Sequence, residues 1–285
     1  MRTISIINQK GGCGKTTTAI NLAASLALQK RRVLVIDLDS QGHASLGLNL
    51  KPEEVARGMT EVLTQGTYLD DVIYESISAN LDLAPANITL SAVEQLLADA
   101  AHKEKKLLGA IQKMKKTYDY VIIDSPPNLG ILTFNALRAS DLAIVPVDMG
   151  YFSLHGLQKL KEIAEVLGRH TGHFVKLRAL GIMVNVRNKF AQEVLEELKK
   201  DFDGHLFGTL IRNSVRLREA SKHGVPVIEY APNSAGAQDY LALAQEVIAM
   251  EAVSTAPGHA IETLLPTVPG VTGDSNHDRE YRKEV

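Results

Sequence analysis

The sequence predicts an α/β fold, a doubly wound and mostly parallel sheet flanked by helices. Three observations carry this. Short apolar runs rich in Ile and Val recur along the chain. Within each run the apolar residues are mostly continuous rather than alternating with polar ones. Stretches of helical character separate the runs. Strands covered on both faces read this way, and strand–helix alternation builds a parallel sheet.

The strand runs are Ile4-Ser5-Ile6-Ile7, Val33-Leu34-Val35-Ile36, Tyr120-Val121-Ile122-Ile123, Leu142-Ala143-Ile144-Val145 and Leu180-Gly181-Ile182-Met183-Val184. The helix expected over 16–30 is apolar nearly all round (Ala19, Ile20, Leu22, Ala23, Leu26, Ala27), so it should be buried. Residues 51–118 read as an insertion and helical flank of the same domain. They should carry one short strand, Leu81-Asp82-Leu83, and helices near 52–65, 90–100 and 102–117. Further helices are expected near 153–169, 190–201, 214–223 and 234–251. The reading is therefore one domain over 1–251. The segment 252–285 holds three of the ten prolines and no helical period, and is expected to lack fixed structure.

Bulk properties narrow the function. At 285 residues, with 45% hydrophobic and 22% charged residues, the chain can bury a normal core. The net charge is −2, so contact with nucleic acid requires a local basic patch. Cys13 is the only cysteine, which excludes an internal disulfide and a cysteine-built cluster within one chain. No signal peptide and no run of about 18 apolar residues is present, so the expected compartment is the cytoplasm, without stable membrane insertion.

The strongest motif is Gln9-Lys10-Gly11-Gly12-Cys13-Gly14-Lys15-Thr16-Thr17, placed after a strand and opening a helix. Glycines let backbone N–H groups close round phosphates, and the helix N-terminus adds partial positive charge. Lys15 would reach the β- and γ-phosphates, and Thr16 would offer its hydroxyl to Mg²⁺. The plain alternative, a Gly-rich turn without a ligand, leaves the lysine and threonine unexplained. Cys13 reads as a packing residue, with a redox-sensitive thiol as the alternative.

Acids stand where a parallel sheet places ligand-facing groups. Asp37 and Asp39 end one apolar run, and two carboxylates two residues apart on a strand point the same way. One can orient an attacking water while the other supports Mg²⁺. Asp124 ends another run and would hold the metal ion.

Lys10-Gly11-Gly12-Cys13-Gly14-Lys15-Thr16-Thr17 resembles the deviant Walker A motif of the ParA/MinD ATPases, of the ParA/Soj partition type. The likeness extends through Val35-Ile36-Asp37-Leu38-Asp39-Ser40-Gln41-Gly42, Ile122-Ile123-Asp124-Ser125-Pro126-Pro127 and the segment 212–220, covering roughly 1–250. The resemblance implies ATP and Mg²⁺ as cofactors, and an ATP-dependent homodimer in which Lys10 reaches the partner's phosphates. It gives Asp39 as the water-positioning residue, Asp37 as the outer partner of Mg²⁺, and Asn185 as the reader of the adenine edge. Ser40 stands where that family often has proline, a departure that takes away one source of stiffness from the loop after Asp39 and leaves the carboxylates in place.

The segment 211–223 carries four bases and one acid. Arg212 and Arg216 would share a helix face if the helix starts early, as would Arg218 and Lys222. Arg187 and Lys189 sit before the helix at 190–201. Such side chains contact phosphates without reading sequence, although a solvated charged face is the plain alternative. The resemblance implies non-specific DNA binding in the ATP state, association with the nucleoid, slow hydrolysis stimulated by a ParB-like partner, and segregation of a plasmid or chromosome. Two other outputs share the site: positioning of a non-DNA cargo, and a MinD-like membrane cycle. The membrane cycle needs a basic amphipathic helix, which the proline-broken 261–269 lacks. A nitrogenase-like reductase or iron–sulfur scaffold is excluded by the single cysteine. The phosphate loop begins within ten residues of Met1, so no N-terminal helix-turn-helix is expected.

Overall fold

The computed structural model describes residues 1–185, 187–202 and 204–254. Seven strands run in chain order: β1 (Arg2–Ile6), β2 (Val33–Asp37), β3 (Tyr74–Ser78), β4 (Leu81–Ala84), β5 (Tyr120–Asp124), β6 (Leu142–Asp148) and β7 (Lys176–Ile182). They form one sheet of order β3-β4-β2-β5-β1-β6-β7. Every neighbouring pair is parallel except β3–β4. The doubly wound α/β expectation holds.

Eleven α-helices join these strands among the described residues. They are α1 (Lys15–Leu28), α2 (His43–Gly47), α3 (Met59–Gln65), α4 (Val93–Leu96), α5 (Lys106–Lys113), α6 (Ile131–Ala139), α7 (Tyr151–Thr171), α8 (Lys189–Asp201), α9 (Val215–Lys222), α10 (Val227–Tyr230) and α11 (Ala235–Ser254).

The continuous apolar runs now have their physical reason. Successive strand residues point to opposite faces, and both faces are covered. Val33 and Val35 pack under α1 and α11, while Leu34 and Ile36 pack under α3 and α5. Tyr120 and Ile122 divide from Val121 and Ile123 in the same way. On the β6 side, Leu142 and Ile144 face α1 and α11, whereas Ala143 and Val145 face α7 and α8. Helix α1 lies in the first layer and is buried from Thr18 through Ala27, as its all-round apolarity predicts.

The 51–118 region departs from its reading. It contributes two strands rather than one, because β3 is a polar edge strand with no apolar run to betray it. Its helices are shorter than expected. The 52–65 stretch breaks into a 3₁₀ turn, Pro52–Glu54, and α3. The 90–117 stretch yields only α4 and α5 as α-helix, with His102 between them in the left-handed region at φ 53°. Strand β7 ends at Ile182 rather than 184, because Met183 turns the backbone to φ 53°. Helix α11 runs to Ser254, three residues past the expected boundary. The remainder of the expected tail, 255–285, lies outside the described residues.

Register places the chemistry at one end of the sheet. Asp37 pairs with Asp124 across β2–β5, and Ile6 pairs with Asp124 across β1–β5. The carboxyl ends of β1, β2 and β5 are thereby level, and β6 extends beyond them to Asp148. The chain leaves β1 toward β2 on one side and, after β5, crosses to β6 on the other. Such a switch point is where open α/β sheets bind ligands.

Candidate nucleotide site

The loop from Gln9 to Gly14 joins β1 to α1 over the switch point. Gly12 and Gly14 adopt φ 71° and 72°, a left-handed geometry that a side chain would strain. Gly11 and Gly12 are exposed and face open space, so their backbones are free to approach phosphates. Cys13 is buried, and burial pushes its thiol above the ordinary value, which favours the packing reading over a reactive thiolate. Lys15 is buried, with Nζ 3.5 Å from the Lys10 carbonyl oxygen on the inner side of the loop. Thr16 and Thr17 follow on the first turn of α1. The Thr16 hydroxyl donates to Asp124 Oδ2 at 2.7 Å.

Asp124 is fully buried, and its other oxygen, Oδ1, has no hydrogen-bond partner. Burial, and then the charge of Asp37 on the neighbouring strand, push its carboxyl well above the usual range. Asp37 is equally buried. Its Oδ2 accepts from the Ser45 N–H at 2.8 Å and the Ser45 hydroxyl at 2.7 Å, and its Oδ1 accepts from the Asp39 N–H at 3.1 Å. Burial outweighs these bonds and pushes the Asp37 carboxyl up to about 6. Two buried acids side by side with a bare oxygen form a site that favours a cation. Among the described residues no three acid, histidine or cysteine side chains converge as a complete metal cage.

Asp39 lies past the end of β2, so it and Asp37 are not two positions of one strand as the sequence suggested. The turn after Asp39 is held without proline. Asp39 Oδ1 accepts from the Gln41 N–H at 3.0 Å, and its carbonyl accepts from the Gly42 N–H at 2.8 Å. Gly42 has φ 61°, and a Cβ there would lie 2.2 Å from Pro52 Cγ. Only glycine fits, and Pro52 stiffens the turn in place of a proline at position 40.

Lys10 is exposed at the rim. Its ammonium donates to Asp148 Oδ2 at 2.5 Å and to the Ser153 hydroxyl at 3.2 Å. Its backbone N–H donates to Asn8 Oδ1 at 3.0 Å, and Asn8 Nδ2 donates to the Pro146 carbonyl at 2.7 Å. Ser45, Asp148 and Ser153 are site residues that sequence reasoning missed. Asp148 ends a buried strand and was open to the same argument as Asp37. Ser45 and Ser153 carry no local signal.

The remaining residues form a second cluster. Asn185 is exposed, and its Oδ1 accepts from the Arg187 N–H at 3.2 Å in a tight turn. Val184 pairs with Arg212 as an isolated parallel bridge, so the chain just after β7 and the segment leading into α9 lie side by side. Arg187, Lys189, Arg212, Arg216, Arg218 and Lys222 are all exposed. Arg212 and Arg216 do not share a helix face, because α9 starts only at Val215. Arg216 pairs with Glu219 at 2.7 Å. Arg212 forks onto the nearly buried Asp239, with Nη2 2.7 Å from Oδ1 and Nε 3.1 Å from Oδ2. That pairing ties the segment before α9 to α11 and engages the guanidinium, although the Arg212 side chain remains 44% exposed. Arg212→Ala should cost about 1–3 kcal/mol in chemical denaturation, whereas Arg218→Ala should stay within about 0.5 kcal/mol of the parent.

Comparison with known proteins agrees with this geometry. The sequence profile of the AAA domain family matches residues 1–177. The sporulation initiation inhibitor protein Soj of Bacillus subtilis is 41% identical over 247 residues, covering 86% of this chain and 98% of Soj. The chromosome partitioning protein ParA of Myxococcus xanthus is 37% identical over 87% of this chain and 88% of its own. Among solved structures, cobyrinic acid a,c-diamide synthase of Mycobacterium smegmatis, with a bound ATP analogue and magnesium, superposes with TM-score 0.78 at 28% identity, covering 89% of this chain and 97% of that one. The septum site-determining protein MinD of Pyrococcus horikoshii, complexed with Mg-ADP, gives TM-score 0.70 at 26% identity over 89% and 98%. Identity near 40% across almost the whole of Soj, on a chain whose phosphate loop and strand-end acids meet as described, places it in the AAA domain family and, within that, in the ParA/Soj family of partition ATPases.

Proposed function

We propose that the chain is a slow ATP hydrolase that closes as a dimer around two nucleotides, binds DNA without sequence preference in that state, and lets go after hydrolysis stimulated by a ParB-like partner. The cargo it segregates is a plasmid or chromosome, with the protein cytoplasmic and associated with the nucleoid. One observation carries the reading: Asp124, buried beside Asp37, keeps a bare oxygen next to the Thr16 hydroxyl on the phosphate loop. The match in family to Soj and ParA supports the output.

Thr16 and Asp124 would hold Mg²⁺, with Asp37 behind them. When bound, the ion neutralises charge on the β- and γ-phosphate oxygens. Lys15 and the Gly11–Gly14 backbone grip the phosphates, and Asn185 reads the adenine edge with its amide. Asp39 orients the attacking water and accepts its proton. Lys10 reaches the partner's phosphates, so each site is complete only in the dimer. Few groups organise the water, which accounts for slow basal turnover. Dimerisation places two copies of the Arg187, Lys189, Arg218 and Lys222 cluster on one surface, with Arg212 and Arg216 in reserve behind their acid partners. Doubling a weak patch raises affinity through effective concentration. A chain of net charge −2 thereby holds DNA. Among the described residues no helix is long and apolar enough to cross a membrane.

The test is DNA binding with ADP, ATP and a non-hydrolysable analogue, across salt. Tight binding with ATP and the analogue only, weakening steeply with salt, is expected. Equal binding in every nucleotide state, or none at all, refutes the reading.

A further inference from the structure

We propose that Asp148 and Ser153 form a latch that holds Lys10 on its own subunit and sets how readily two copies close on ATP. This rests on the reading above, in which Lys10 serves the partner's nucleotide. The contacts form a closed ring. The Lys10 ammonium donates to Asp148 Oδ2 at 2.5 Å and to Ser153 Oγ at 3.2 Å, and the Ser153 hydroxyl in turn donates to Asp148 Oδ1. The ammonium donates to two acceptors and the Ser153 hydroxyl to one, so each of the three groups is bonded to the other two.

The latch is braced on both sides. Asp148 is the last residue of β6, paired in register with Ile182. Ser153 is fixed by its own N–H, which donates to the Gly150 carbonyl at 3.0 Å. Gly150 leaves room for the ring, since a Cβ there would sit 3.1 Å from Asp148 Oδ1. On the other side, Asn8 ties the Lys10 backbone to β6 through Pro146. Burial pushes the Asp148 carboxyl up, but the bonds from Lys10 and Ser153 and the nearby ammonium outweigh this and hold it below its ordinary value.

The latch is built to open. The Lys10 and Asp148 side chains are 45% and 22% exposed, so water and a competing anion reach them. An exposed pair of this kind shifts an equilibrium only a few-fold. An ammonium committed to Asp148 is withheld from a phosphate on another subunit, and the apparent affinity falls by the fraction latched. A dimer must open two latches, so the factors multiply to about tenfold.

The experiment measures the dimer dissociation constant by sedimentation with a non-hydrolysable ATP analogue. It compares the parent with Asp148→Asn, Ser153→Ala, Lys10→Ala and the Lys10→Ala/Asp148→Asn double variant. Asp148→Asn should dimerise about tenfold more tightly, and Ser153→Ala should shift the same way by less. In the Lys10→Ala background, measured at protein concentrations high enough to populate its weakened dimer, Asp148→Asn should give no tightening, a coupling that a purely structural role of Asp148 would not produce. If Lys10→Ala loses the dimer while Asp148→Asn and Ser153→Ala are unchanged or weaker, the latch is overturned and the cross-subunit role of Lys10 survives. If Lys10→Ala dimerises like the parent, that underlying role falls and the latch with it. Ser153→Ala removes one hydroxyl from the ring, so it decides the matter should Asp148→Asn fail to fold.

Discussion

Asp124→Asn should reduce ATP turnover at least about 100-fold while leaving the nucleotide-free protein as stable as the parent or more so. The two effects have one cause. The buried carboxylate beside Asp37 opposes folding when nothing neutralises it, and it is also the charge that a metal ion needs. Asparagine keeps an oxygen to accept from Thr16 and removes the charge. The pH dependence follows by linkage. A carboxyl whose proton affinity is raised in the folded state keeps its proton there while the unfolded chain has lost it. For Asp37 that interval runs from 3.8 to about 6, and stability declines as pH rises across it. Asp124 adds to the decline from the same starting point. In chelator, the melting-temperature advantage of Asp124→Asn should therefore widen as pH rises from 4 upward. A variant less stable than the parent at pH 8 would show that Asp124 is a structural acid.

Asp39→Ala should lower turnover by about 10²–10⁴-fold while retaining the ATP-dependent dimer. Asp39 is buried, and its acceptor role to the Gln41 N–H shapes the following turn, so a local cost in stability is also expected. Asp39→Asn separates the two roles, since an amide oxygen still accepts from Gln41 but is a poor base. Single-turnover hydrolysis and sedimentation on both variants check this. Full turnover in either would remove Asp39 from the chemistry.

The placement of the candidate site's loop and strand-end acids was largely legible in the sequence because those parts are local. A loop with glycines at fixed offsets, and acids that end apolar runs, report their positions through neighbours in the chain. The five main strands were legible for the same reason: burial on both faces leaves no polar alternation to confuse them. Strand β3 was not, since Tyr74–Ser78 is a polar edge whose pairing with β4 depends on a partner. The break between helices near 90–100 and 102–117 was read from the sequence, but not how short the α-helices are, since Ile88–Ala92 and Lys103–Lys105 form 3₁₀ turns and His102 takes φ 53°. At the site, the ties of Ser45 to Asp37 and of Ser153 to Lys10 were illegible, because hydroxyl groups are common and only tertiary structure aims them. The bases of 187–222 were visible as charge, but Arg212 shows the limit of that signal: its acid partner lies 27 residues away.

The two borders of the sheet differ from a flat, regular strand edge: β3 is irregular and β7 is covered. At β3, the register with β4 is irregular, Ser76 stands at φ 56°, and its N–H is taken by Asp82 at 2.8 Å. At β7, the segment from His205 to Ile211 lies along the border and binds its backbone through Ala179 and Gly181. A flat, open border invites other chains to add on without limit. Among the described residues the irregular β3 border and the covered β7 border make a poor template for such growth, so the ATP-dependent pairing proposed above is expected to run through side chains and to stop at two copies.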